Sequence, residues 1–79
     1  MNNNVIVYST QTCPFCVMAK EYFNKKGVNY KDIDVGADRA AAMEMVAKSG
    51  QMGVPVIDIN GQITVGFQPD VFENLLNSK

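Results

Sequence analysis

The sequence predicts an α/β domain with element order β-α-β-α-β-β-α, a mixed four-stranded sheet covered by helices on both faces. Three observations carry this. A short β-branched run, Val5-Ile6-Val7-Tyr8, is apolar on both faces, as a central strand covered on each side must be. A helical segment and a second strand follow it, and a β-α-β unit closes by a right-handed crossover with its strands parallel. Further on, Asn60-Gly61 separates two β-type runs, the strongest short-range signal for an antiparallel hairpin. Only a mixed sheet satisfies both constraints.

The elements follow in order. Ser9 to Thr12 is polar connector, and Pro14 stands where a first helical position tolerates a missing N–H. Pro14 to Lys26 holds good helix formers and ends on Lys25-Lys26-Gly27, cations in the last turn and a left-handed stop. Tyr30 to Val35 alternates, with Lys31, Ile33 and Val35 on one face and Tyr30, Asp32 and Asp34 on the other, which suits a sheet edge. Arg39 to Lys48 is a second helix, with Asp38 as N-cap and Ser49-Gly50 as stop. Pro55 to Ile59 and Gln62 to Val65 form the hairpin, and Asp70 to Leu76 is a short last helix. Tyr8, Tyr22 and Phe23 read as core, and Met43, Met45 and Met52 as gap-filling core or edge residues.

Seventy-nine residues make one domain, residues 1–79, with one modest core. Hydrophobic residues at 47% and charged ones at 19% exclude disorder and fibrous repeats. A net charge of −1 without a basic cluster gives nucleic acid or an anionic membrane no electrostatic hold. No apolar run approaches the roughly 18 residues of a membrane span, and Met1 to Asn4 has no signal-type character. A cytoplasmic, monomeric protein is expected.

The chemistry lies in the two cysteines, Cys13 and Cys16; there is no histidine. Two thiols cannot complete a tetrahedral zinc site within one chain without carboxylates. A disulfide closing so short a loop stabilises by only about 1.9 kcal/mol in the chain-entropy model, a poor staple. What remains is a pair that switches between dithiol and disulfide. Cys13 falls at the helix N-cap, five residues after Tyr8 and at the carboxyl end of the first strand, where such sheets place their sites. Unpaired backbone N–H groups and the positive end of the helix dipole favour its thiolate there. Cys16 comes round on the same side, held within the first turn. Cys13 therefore attacks, and Cys16 resolves the mixed disulfide.

Cys13-Pro14-Phe15-Cys16 after Val7-Tyr8-Ser9, then Gly53-Val54-Pro55 before a hairpin, then Gly66 before a last helix, resembles the glutaredoxins from Val5 to about Leu76. The resemblance implies the thioredoxin fold with sheet order 2-1-3-4 and strand three antiparallel. It also implies a cis Val54-Pro55 peptide facing the dithiol, with the Val54 backbone pairing with substrate. Pro14, Phe15, Val54, Pro55, Gly66 and Phe67 are thereby the expected substrate-binding residues, with Phe15 and Phe67 exposed.

Departures from the family pattern bear on the electron donor. Many glutathione-using members carry a lysine where this chain has Thr10, and acidic residues where it has Phe67, Gln68 and Pro69. Gly66-Phe67-Gln68-Pro69-Asp70 is instead similar to the C-terminal motif of NrdH-redoxins, which take electrons from thioredoxin reductase. Pro14 is glutaredoxin-type. The expected function is a dithiol–disulfide oxidoreductase acting on protein or small-molecule disulfides, ribonucleotide reductase among the candidates. It needs no metal or cofactor beyond the dithiol, with glutathione or thioredoxin reductase as donor. The alternative is an iron–sulfur cluster carrier, against which Pro14 and the second cysteine stand. Lys20 reads as solvated, and Asp58 as a hairpin-edge acid with a possible second role beside the resolving thiol.

Overall fold

The computed structural model describes residues 4–77. Met1, Asn2 and Asn3, which enter the expectation of a chain without a signal segment, lie outside the described residues. The order is β1 (Val5–Ser9), α1 (Pro14–Lys25), β2 (Lys31–Asp34), α2 (Arg39–Ser49), β3 (Val56–Ile59), β4 (Gln62–Val65) and α3 (Pro69–Asn77). The sheet runs β2-β1-β3-β4, with β1 and β2 parallel and both other pairs antiparallel. Strand order and directions are those the resemblance implies.

Boundaries follow local chemistry. Asn60 and Gly61 both have positive φ (54° and 90°), the turn whose twist matches two antiparallel strands, and the Gly61 N–H donates to Asp58 Oδ1 at 2.8 Å. Pro55 has no N–H to give a ladder, so β3 starts one residue later than expected. After α1, Gly27 N–H reaches the Asn24 carbonyl and Val28 N–H the Phe23 carbonyl, which satisfies the last turn with a left-handed glycine. The third helix starts at Pro69 rather than Asp70, since proline is well suited to a first turn.

Sheet alternation divides the core in two. Val5 and Val7 of β1, opposite Ile59 and Ile57 of β3, meet Ala19 and Phe23 of α1 and Phe72 of α3. Tyr8 and Val56 turn the other way, onto Met45 of α2. Tyr8 and Phe23 are buried as expected, whereas Tyr22 is half-buried, its ring against the first cluster and its hydroxyl donating to Glu73 at 2.8 Å. Met45 fills the core, but Met43 and Met52 do not: both are exposed, which corrects their reading as gap fillers. The α2 residues that point inward are Ala41 and Met45, and Met43 lies about 200° round the helix from each.

Helix α2 begins on the Asp38 side chain, which accepts from Ala41 N–H at 3.1 Å. No acidic residue occupies the first turn, so this cap is the main device at that end. Asp38→Ala is expected to cost about 1 kcal/mol, a drop in Tm of about 4–8 °C for a domain of this size, while Asp38→Asn keeps most of the stability. Thermal unfolding followed by circular dichroism checks this, and an unchanged midpoint in the alanine variant refutes it.

Candidate active site

Cys13 is the N-cap of α1, its backbone extended (φ −102°, ψ 108°) because the chain turns from the β1 exit into the helix there. Its sulfur accepts the Cys16 N–H at 3.2 Å, so one of the unpaired donors of the first turn is aimed at Sγ. The thiol in turn donates to the Val54 carbonyl at 3.8 Å. Val54-Pro55 is a cis peptide, and the Pro55 carbonyl accepts the Gly66 N–H at 2.8 Å. These bonds gather Cys13, Cys16, Val54, Pro55 and Gly66 into one cluster at the carboxyl end of β1. Both cysteines are free thiols.

The two sulfurs sit in unlike surroundings. Cys13 is half-buried, whereas Cys16 has 0% exposure. Burial pushes the Cys16 thiol up to about 12, followed by its hydrogen bond with Cys13; a backbone contact at Thr10 and the Lys20 charge pull the other way by less. Cys13 is the sulfur open to solvent, and Cys16 is enclosed behind it.

Pro14 and Phe15 project outward, Phe15 at 56% exposure, with Val17 and Met18 also exposed on the following turn. Phe67, expected exposed, is half-buried, its ring edge-on to Phe72 (5.9 Å) and Tyr22 (6.5 Å). The short Gly66 turn folds it back onto Tyr22 of α1 and Phe72 of α3. Thr10 lines a hollow beside the site with Gln11, Thr12 and Asp34. Segments 9–19, 49–57 and 59–69, which between them supply the cluster and its rim, carry no Asp, Glu, Lys or Arg. The dithiol segments themselves are therefore uncharged, and one charge beside them is Asp34 in the Thr10 hollow. Among the described residues no group of histidine, cysteine and carboxylate side chains could hold a metal ion.

The glutaredoxin family model matches residues 5–64, which include both cysteines and the cis-proline turn. The chain belongs to the glutaredoxin family. It is 43% identical over 70 residues to an uncharacterized glutaredoxin-like 8.6 kDa protein in a rubredoxin operon of Clostridium pasteurianum, covering 89% of this chain and 93% of that one. It is 37% identical to glutaredoxin 3 of Escherichia coli K12, over 75% of this chain and 71% of that one. Among solved structures, a variant of the thioredoxin-like protein BC3987 superposes with a TM-score of 0.88 at 32% identity, covering 95% and 96% of the two chains. This glutaredoxin is thus a thiol–disulfide oxidoreductase with a CxxC pair.

Two polar groupings of this glutaredoxin outside the dithiol cluster were not legible in the sequence. Lys20, read as solvated, is tied at 3.1 Å to Asp32 of β2, whose other oxygen accepts from the buried Ser9 hydroxyl at 2.8 Å. Asp58 faces α2, because its partner across β1 is Ile6, and binds Lys48 Nζ at 3.0 Å. It serves the hairpin and α2 rather than the resolving thiol, which lies on the α1 face. The cue to Lys20 was its spacing, four residues after Cys16; nothing local announces Lys48 with Asp58. Among the described residues, no helix is long and apolar enough to cross a membrane.

Proposed function

We propose that this glutaredoxin reduces polypeptide disulfides, with Cys13 as nucleophile, Cys16 as resolving thiol and a thioredoxin reductase as preferred electron donor. The observation that carries the reading is the asymmetry of the pair: a half-buried N-cap sulfur that accepts a backbone N–H, beside a fully buried thiol pushed up to about 12. The Cys13 thiolate attacks one sulfur of the substrate disulfide and expels the other as a thiolate that takes up a proton. Cys16 then loses its proton and attacks Cys13 Sγ, which forms the Cys13–Cys16 disulfide and releases the second substrate thiol. The donor returns two electrons and two protons to restore the dithiol.

The remaining predicted residues have supporting roles. The Val54 backbone offers the substrate chain a main-chain partner beside Cys13, Pro55 and Gly66 fix that turn, and Pro14 with the exposed Phe15 gives it an apolar edge. Phe67 acts from behind, as packing under the turn. Thr10 and Gln68 stand where glutathione-using relatives hold charged anchors, and the absence of charge across the site segments supports a protein donor.

Alkylation tests the roles directly. Brief treatment of the dithiol form with iodoacetamide at neutral pH, followed by peptide mapping, is expected to modify Cys13 and leave Cys16 unmodified. Modification of Cys16 ahead of Cys13 reverses the assignment.

A further inference from the structure

A groove of about 540 Å³ runs along the outer side of α2, lined by Arg39, Ala42, Met43, Val46, Ala47 and Met52. Met43 and Met52, at 67% and 77%, are the two most exposed large apolar side chains among the described residues. The core does not use them, since α2 buries Ala41 and Met45 instead. Two hydrated methionines on one apolar hollow lose contact with water when a ligand covers them, and their flexible thioethers fit side chains of varied shape.

Chain neighbours link both rims of the groove to the redox centre. Met52 precedes by two residues Val54, whose carbonyl lies 3.8 Å from Cys13 Sγ. At its other rim, Arg39 opens α2 just after Gly36 and Ala37, which share a hollow with Thr10, Gln11 and Thr12 of the segment leading to Cys13. Arg39 makes no ion pair among the described residues. Resting on the disulfide-reductase reading above, we infer that this groove seats the apolar residues flanking the reactive cysteine of a polypeptide disulfide substrate, with an acidic residue of that segment meeting Arg39. A chain whose sulfur reaches Cys13 and whose backbone meets Val54 passes along Met52, so its neighbouring side chains have this hollow beside them. The residues thus determine specificity among polypeptide disulfides and take no part in the chemistry.

The test compares three probes: a disulfide-linked peptide with leucine and valine flanking cysteine and a glutamate beyond, the same peptide with serine and asparagine flanks, and 2-hydroxyethyl disulfide. Wild type is expected to favour the apolar peptide about tenfold in kcat/KM, equivalent to about 1.4 kcal/mol. The pair Met43→Ser with Met52→Ser removes that preference and leaves 2-hydroxyethyl disulfide turnover unchanged, whereas Met43→Leu with Met52→Leu retains the preference. Arg39→Gln lowers kcat/KM for the glutamate-bearing peptide about threefold. A wild type that reduces 2-hydroxyethyl disulfide yet treats both peptides alike overturns the groove and leaves the redox reading standing. A protein that reduces none of the probes defeats that reading and the groove with it. A wild-type dimer that dissociates in the serine pair, seen by sedimentation, gives the groove to a second copy and overturns the inference.

Discussion

Cys13→Ser is expected to lose disulfide reduction down to background, while Cys16→Ser still attacks one substrate and then stalls as a mixed disulfide on Cys13. The first loss is total because a serine hydroxyl at the N-cap is not ionised at neutral pH, whatever the helix offers it. The second variant keeps the attacking sulfur, and the serine it carries in the buried position cannot displace a thiol from Cys13. Intact-mass spectrometry after challenge with a disulfide substrate separates the two: one adduct on Cys16→Ser, none on Cys13→Ser. The reverse pattern refutes the roles. Serine at the N-cap is itself a good capping residue, so the inactive variant stays folded and its inactivity is chemical.

The same asymmetry fixes how the resolving step depends on pH. In the mixed disulfide Cys13 is no longer a thiol, so its hydrogen bond and charge stop acting on Cys16, but burial, the largest cause of the upward shift, persists. Only a small fraction of Cys16 is then ionised at neutral pH. Release of the second thiol is expected to quicken by about tenfold per pH unit above neutrality, without levelling near the ordinary cysteine value of about 8.5. Stopped-flow release of a chromophoric thiol from the preformed mixed disulfide measures it, and a plateau at that ordinary value contradicts the burial.

What could be read from the sequence was what neighbouring residues decide among themselves. Asn60-Gly61 sets its own turn, Gly27 and Gly50 stop their helices with left-handed backbone, and Asp38 and Cys13 cap theirs. The dithiol was legible for the same reason, since its chemistry depends on four consecutive residues and the helix they open. Facing was harder. Asp58 alternates correctly within its strand, yet which layer it meets depends on the pairing with Ile6, far away in the chain. Residue type alone does not separate Met45, which is core, from Met43, which lies off the Ala41–Met45 face of the helix. A motif likeness says nothing of Phe67's packing, and its partial burial follows from the aromatic cluster with Tyr22 and Phe72 that only the folded chain assembles.

Oxidised protein is expected to be reduced faster by thioredoxin reductase than by glutathione. Glutathione must be held over Cys13 by its two carboxylates and its ammonium, and main-chain pairing at Val54 serves only its peptide portion. An exposed charge pair contributes about 0–1 kcal/mol and a charge-assisted hydrogen bond about 1.5–3. Neutral residues at Thr10 and Gln68 therefore weaken the tripeptide by about tenfold to a thousandfold, at about 1.4 kcal/mol per decade. Gln68 is also occupied, its side-chain amide donating to the Val65 carbonyl at 2.6 Å, so it closes the turn rather than reaching out. Thr10→Lys with Gln68→Asp is expected to raise the glutathione rate at least about tenfold, with little change for the reductase. Asp34 lines the hollow beside Thr10 and would capture the new lysine, so the comparison includes Asp34→Asn in the same background. A wild type that runs briskly on millimolar glutathione and ignores several thioredoxin reductases shows that an uncharged rim suffices to hold the tripeptide, and the donor preference then has to lie in contacts other than these two positions.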